Sequence, residues 1–308
     1  MASPSPHVRV QIDLRVIRAN AERIRDTCGV PVIAVVKANA YGHGLVEVAG
    51  AIADVVDRFC VFTATEAAHA KLWELTGKSS IAIGPPTLSD PNDYREIHVR
   101  PAVSNADQAT HLREALPLLC VDTGQQRFAC PIDQVHKVLR AGDIHEAYTH
   151  ASTLDQVKMF GDALADRTIC KHAAGSSLLH EPSARFDAVR PGLAIYRDAA
   201  RVSTRLVEVR ETRGPAGYSG FVARRHGIIL AGYSHGLKTG PCRINGRESR
   251  ILEVGMQTAF VELDANDRVG DEVFLLGDGL TENHVAEAWN VSPHEALLRL
   301  VDSGVRDY

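Results

Sequence analysis

Lys37 follows directly on the apolar run at residues 32–36. An amine at the end of a buried segment is costly unless it is paired, deprotonated or put to covalent use. Lysine is also the side chain that forms Schiff bases with carbonyl groups. Further along, the chain carries groups that could serve such an amine. Arg127 and Arg190 bring planar guanidinium groups suited to carboxylates. His150 brings an imidazole, Ser176 a hydroxyl, and Tyr41, Tyr218 and Tyr233 bring phenols. Gly192 and Leu193 follow a proline, where a side-chain-free glycine lets backbone amides approach an anion. Taken singly, each also has a plain structural reading. Lys37 then reaches solvent, Arg127 sits on the surface after a turn, His150 is a satisfied core histidine, and the tyrosines are ordinary packed aromatics.

Position in the fold decides what such groups can do. Short apolar segments recur at 32–38, 60–65, 81–84, 100–104, 118–123, 147–152, 169–174 and 189–195. Amphipathic stretches separate most of them. Residues 15–27 put Val16, Ile17, Ala21 and Ile24 on one helical face, and SNAD at 104–107 reads as a helix start. Alternating strand and helix demands parallel pairing, and eight units predict a closed (β/α)8 barrel. An open doubly wound sheet is the alternative, weakened because no GxGxxG turn follows the first strand. Barrels carry their chemistry at the C-terminal ends of strands, where Lys37 falls. Beyond residue 200 the helical intervals give way to strands at 203–211, 227–232, 250–255, 259–263 and 272–276, with a helix at 292–302 capped by Ser292. The predicted division is a barrel over 9–198 and a smaller all-β domain over 199–308, with residues 1–8 open to joining the latter.

Bulk properties narrow the classes of function. The 308 residues are 45% hydrophobic and 23% charged, as in ordinary globular proteins, and the net charge of −4 gives no electrostatic case for nucleic acid or acidic membranes. No stretch nears the roughly 20 apolar residues that span a bilayer, and the N-terminus does not read as a signal peptide. The six cysteines are scattered without a CxxC pair. Free thiols in a reducing cytoplasm are therefore expected, with no metal site.

VVKANAYGHG at 35–44 resembles the cofactor-lysine motif of alanine racemases over all ten positions. FDAVRPGLAIY at 186–196 resembles a second motif of the same family, and shorter matches follow in the family's order: VDTGQQR at 121–127, His150, HAAGSS at 172–177, GYSG at 217–220, GYSHG at 232–236 and VGMQT at 254–258. The chain resembles a short, divergent member of this family, whose fold-type III enzymes use pyridoxal 5'-phosphate. The resemblance implies a cofactor carried on Lys37, its phosphate contacted by Tyr41, Ser176 and the amides of Gly192 and Leu193. It implies that His150 lies beside the ring and Arg190 faces its nitrogen. Arg127, Tyr233 and the Met256 amide would line the substrate.

The implied reaction is interconversion of L- and D-alanine, or of another small amino acid, by two bases. Lys37 stands on one face of the α-carbon and Tyr218 on the other, supplied in this family by the second subunit of a homodimer. Departures surround the substrate more than the cofactor. Cys120 stands where many members carry a carbamylated lysine, Gly175 where asparagine is usual, and His235 and Gln257 replace aspartates. Residues 302–306 occupy the region of another phosphate-binding tyrosine. A related enzyme of other specificity, or a cofactor-binding protein without turnover, is the alternative.

Overall fold

The computed structural model describes residues 4–308. The chain divides into two compact units, one of residues 15–40 and 44–197, the other of residues up to 14, 41–43 and 198–308. The first strand, β1 (Ser5–Ile12), belongs to the second unit, because it pairs with later strands of that unit. The boundary thus falls at Leu14 rather than at residue 9.

In the first unit, seven parallel strands follow in sequence order: β2 (Ile33–Val35), β3 (Arg58–Val61), β4 (Ser80–Ala82), β5 (Val99–Val103), β6 (Leu118–Cys120), β7 (Glu146–Tyr148) and β8 (Cys170–His172). β2, β6 and β7 are buried at every residue, as expected of parallel strands covered on both faces. The segment at 187–191 closes the ring. The Asp187 and Arg190 amides donate to Lys171 and Ala174, while those of Ile33 and Val35 donate to Val189 and Pro191. This eighth stave completes the (β/α)8 barrel. Residues 193–195, read from sequence as the end of that strand, instead lie in the helical turn Leu193–Tyr196, and the buried Tyr196 hydroxyl donates to Val35 across 2.8 Å. Ile33, Phe59, Ile81, Leu118 and Leu119 are fully buried, each contributing roughly 1.5–3 kcal/mol of burial.

Local sequence signals set where helices begin. Thr63 with Glu66 and Thr153 with Gln156 form reciprocal capping boxes. In SNAD the cap is Asn105, whose side chain accepts from the Gln108 amide.

In the second unit, β9 (Ala200–Glu211), β10 (Arg225–Ile229), β11 (Gly240–Ile244), β12 (Arg247–Val254), β13 (Ala259–Glu262) and β14 (Glu272–Leu276) form an antiparallel ring, closed where β9 pairs with β10. β1 and β15 (Gly304–Asp307) extend it beyond β9. Alternating burial along β12 and β13 fits strands with one packed face. The tail helix is Pro293–Val301 with Ser292 as its cap, as read from sequence. A second helix, Glu282–Trp289, precedes it, although the sequence reading left no helix there. Its apolar side is only Val285, Ala286 and Trp289, too sparse to stand out.

Candidate active site

Lys37 opens a short turn, Lys37–Tyr41, at the C-terminal end of β2. Ala38, Asn39, Ala40 and Tyr41 all have φ between 52° and 54°, so the turn is left-handed. For L-residues this costs about 1–2 kcal/mol each, and such strain persists only where its surroundings over-determine it. Here the supports are explicit. The Ala38 amide donates to Glu66 Oε1 at 3.0 Å, and the same carboxylate accepts from Phe62 at the end of β3. Asn39 Oδ1 accepts from the Leu45 amide at 2.8 Å, tying the turn to the next helix, Leu45–Ile52. The turn therefore fixes where the Lys37 side chain leaves the barrel. Nearby, burial pushes the Cys60 thiol up to about 11, opposed by the charges of Arg190 and Lys37, which both act at this one point.

Arg190 is buried, 4% exposed. Its guanidinium lies over the Tyr148 ring, 4.6 Å from the centroid, and one terminal nitrogen donates to the Thr149 carbonyl. Among the described residues its Nε has no partner. A buried donor left unpaired is unfavourable, and a pyridine nitrogen is a lone-pair acceptor that this donor fits. Beneath Arg190 the packing continues: Tyr148 stacks on His172 at 5.6 Å, and His172 Nε2 lies 3.0 Å from Glu146 Oε1. Glu146 is also bridged by Arg58 and Arg100. Burial would raise the Glu146 carboxyl, but hydrogen bonds from His172 and Arg58 outweigh it and hold the group well below the carboxylate range. Burial lowers His172 to about 4, so it is neutral near pH 7. Arg190 thus rests on a neutral imidazole and an aromatic ring, with the countercharge one layer down.

Ser176 and the turn at Gly192 meet. Ser176 Oγ accepts from the Gly192 and Ala194 amides at 3.0 and 3.1 Å. The Leu193 position opens the helical turn between them. A hydroxyl that accepts from these amides keeps its own proton to donate, which suits a phosphate oxygen. Together with the Lys37 amine and the unpaired Arg190 Nε, this donor set fits pyridoxal phosphate.

Arg127 lies beyond β6 in a loop shaped by Asp122, whose Oδ1 accepts from the Gly124 and Gln126 amides. Its side chain is exposed, 6.0 Å from the Phe128 ring centroid. His150 is exposed, two residues past β7. Both occupy the strand ends that carry Lys37 and Ser176, since all strands of the barrel run parallel. Cys120 is buried, with its thiol raised by burial, and it is the strand partner of Tyr148 between β6 and β7. It therefore belongs to the layer below Arg190.

The remaining residues lie in the second unit. Tyr41 ends the left-handed turn with its ring 5.8 Å from that of His294. The carbonyl of the neighbouring Gly42 accepts from Arg306, which pairs with Asp302, so residues of the divergent C-terminal stretch hold the chain at Gly42. Tyr233 and Met256 come together: the Tyr233 amide donates to the Gly255 carbonyl at 2.9 Å, and that of Ser234 to Met256 at 3.0 Å. A Cβ at Gly232 would lie 2.3 Å from the Met256 carbonyl, so only glycine permits this approach. Tyr218 is 99% exposed on the loop between β9 and β10. Glu66, Asn39 and Glu146 also shape the surroundings of Lys37 and Arg190, yet sequence reasoning passed over them, and it read His172 only as the start of HAAGSS. Only Thr63–Glu66, a capping-box pattern, carried a signal.

Comparisons with known proteins agree with this fold. The family model described as "Alanine racemase, N-terminal domain" matches residues 12–200. The biosynthetic alanine racemase of Escherichia coli strain K12 is 29% identical over 356 aligned positions, covering 97% of this chain and 98% of that one. The crystal structure of biosynthetic alanine racemase from Pseudomonas aeruginosa superposes with a TM-score of 0.88 at 25% identity, covering 99% of each chain. That of Bartonella henselae alanine racemase with covalently bound pyridoxal phosphate does so at 0.87 and 21% identity, covering 99% of this chain and 100% of that one. This chain belongs to the alanine racemase family.

Proposed function

We propose that the protein is a pyridoxal-phosphate-dependent racemase that interconverts L- and D-alanine. The observation that carries this reading is the buried Arg190 with its unpaired Nε, set at the strand-end that follows Lys37 around the barrel. When bound, pyridoxal phosphate supplies a conjugated electron sink that makes a substrate's α-proton acidic. Lys37 would hold it covalently, Ser176 and the amides of Gly192 and Leu193 its phosphate, with Tyr41, and Arg190 its ring nitrogen, with His150 beside the ring.

The chain's own groups then divide the work. Arg190 donates and cannot accept a proton, so it keeps the ring nitrogen unprotonated and weakens the sink. That favours prompt return of a proton to the α-carbon. A carboxylate at this position would do the opposite, which argues against decarboxylation. The Lys37 amine takes or returns the proton on one face, and the Tyr218 phenol on the other, since one side chain does not reach both. Arg127 and the Met256 amide orient the substrate carboxylate, and Tyr233 lines the site. A phenol as exposed as Tyr218 cannot act as a base in open water, and its exposure is what a group donated to a second copy's site would show. The active form is accordingly a homodimer. The free cysteines suit a reducing cytoplasm, and no described helix is long and apolar enough to cross a membrane.

Incubation of the purified protein with L-alanine in deuterium oxide tests this reading. A racemase yields deuterated D-alanine; cofactor absorbance without exchange would mark a binder that has lost turnover, and carbon dioxide release would mark a decarboxylase.

A further inference from the structure

The turn that presents Tyr218 hangs on one carboxylate. Glu253, the second-last residue of β12, is largely buried. Its Oε1 accepts from the Tyr218 amide at 3.0 Å, and its Oε2 from the Ser219 amide and hydroxyl at 2.6 and 2.5 Å. Gly217 enters the turn at φ 67°, and a Cβ there would lie 2.6 and 2.7 Å from the two carboxylate oxygens. The arrangement therefore needs a bare backbone at 217 and a two-oxygen acceptor at 253. A carboxylate meets that demand, because it accepts at both oxygens and donates at neither.

The Tyr218 side chain itself is almost wholly exposed, so its own unit does little to pack the ring. Its placement comes from its backbone. Two residues further along the same segment, Gly255 and Met256 hold the Tyr233 turn through their carbonyls. One short stretch, 253–256, thus holds both tyrosine-bearing turns. The hydroxyl of Ser219 and the amides of Ser219 and Tyr218 also hold the Glu253 carboxyl below its ordinary range, so it stays ionised as the clasp requires.

We propose that Glu253 is a positioning residue for the second proton-transfer group, fixing the 217–219 turn so that the Tyr218 phenol meets the substrate's α-carbon. This rests on the role given to Tyr218 above. Glu253 touches no reacting atom and acts only through the turn.

Glu253→Gln is the discriminating variant. It keeps size and one acceptor but turns an amide donor toward the Ser219 donors. Amide hydrogen exchange, read by mass spectrometry over residues 214–221, should accelerate about tenfold or more, the worth of a charge-assisted hydrogen bond. In the holoenzyme, turnover starting from L-alanine should fall by a similar factor with KM little changed. Exchange of the D-alanine α-proton through Lys37 should persist. Gly217→Ala, which pushes the carboxylate away from the opposite side, should reproduce the pattern. Unchanged amide exchange in both variants would overturn the clasp. Accelerated exchange with full turnover from L-alanine would show that the clasp does not position the base. Tyr218→Phe, run alongside, separates the two claims: full turnover there removes the tyrosine's role and with it this proposal, whatever the amides show.

Discussion

Arg190 shows how a single side chain sets the character of a site. Its stacking on Tyr148 and its bond to the Thr149 carbonyl use one face and one nitrogen, leaving Nε for a ligand. Arg190→Glu should lower racemisation about a hundredfold, the usual scale for a lost electrostatic partner. Assays in both directions, with a thermal melt to separate misfolding, check this. His172 makes a second prediction. Its pKa falls from an ordinary 6.5 to about 4, mainly through burial. The unfolded chain therefore takes up this proton first, and the stability that neutral His172 contributes, full above pH 6.5, is lost as pH falls toward 4. Melting temperature should fall as pH is lowered from 6.5 toward 4, and His172→Gln should lessen that fall. Lys37, Arg190, Ser176 and Gly192 could be proposed from the sequence because each sits in a string of distinctive residues. His172 was read only as the start of HAAGSS, and Glu146 not at all. A buried ion cluster gathers residues from separate strands, Arg58, Arg100 and Glu146, which no local pattern connects.

At the scale of elements, the alternation of apolar and amphipathic segments was enough to give the barrel. The left-handed turn after β2 was not foreseeable from composition. Ala-Asn-Ala-Tyr contains one residue that tolerates positive φ and three that do not. The turn exists because Glu66 accepts from its Ala38 amide and its Asn39 side chain accepts from the Leu45 amide beyond it, a tertiary cause. Ala38 is exposed, so its substitution removes no packing. Ala38→Gly should raise stability by about 1 kcal/mol through relief of the left-handed cost. A higher denaturant midpoint at unchanged slope would confirm it, and a lower one would show that the turn is not strained. β11 and β15 escaped the sequence reading for a different reason: short strands with Pro241, Arg243, Arg306 and Asp307 lack clean alternation and are fixed by pairing with neighbours.

At the scale of the whole molecule, the groups proposed for catalysis are divided between two compact units, with Lys37 in one and Tyr218 in the other. If Tyr218 serves the site of a second copy, inactive Lys37→Ala and Tyr218→Phe variants should restore activity when unfolded and refolded together. A mixed dimer then holds one site with both wild-type groups, and random pairing recovers about a quarter of wild-type turnover in a twofold-symmetric assembly. No recovery would place both bases on one chain.

The central claim is that the Lys37 amine carries the cofactor covalently. The direct measurement is borohydride reduction of the protein with pyridoxal phosphate, followed by peptide mass mapping. A pyridoxyl adduct on Lys37, absent in Lys37→Ala, is the predicted result; no adduct, or one on another lysine, would contradict the account.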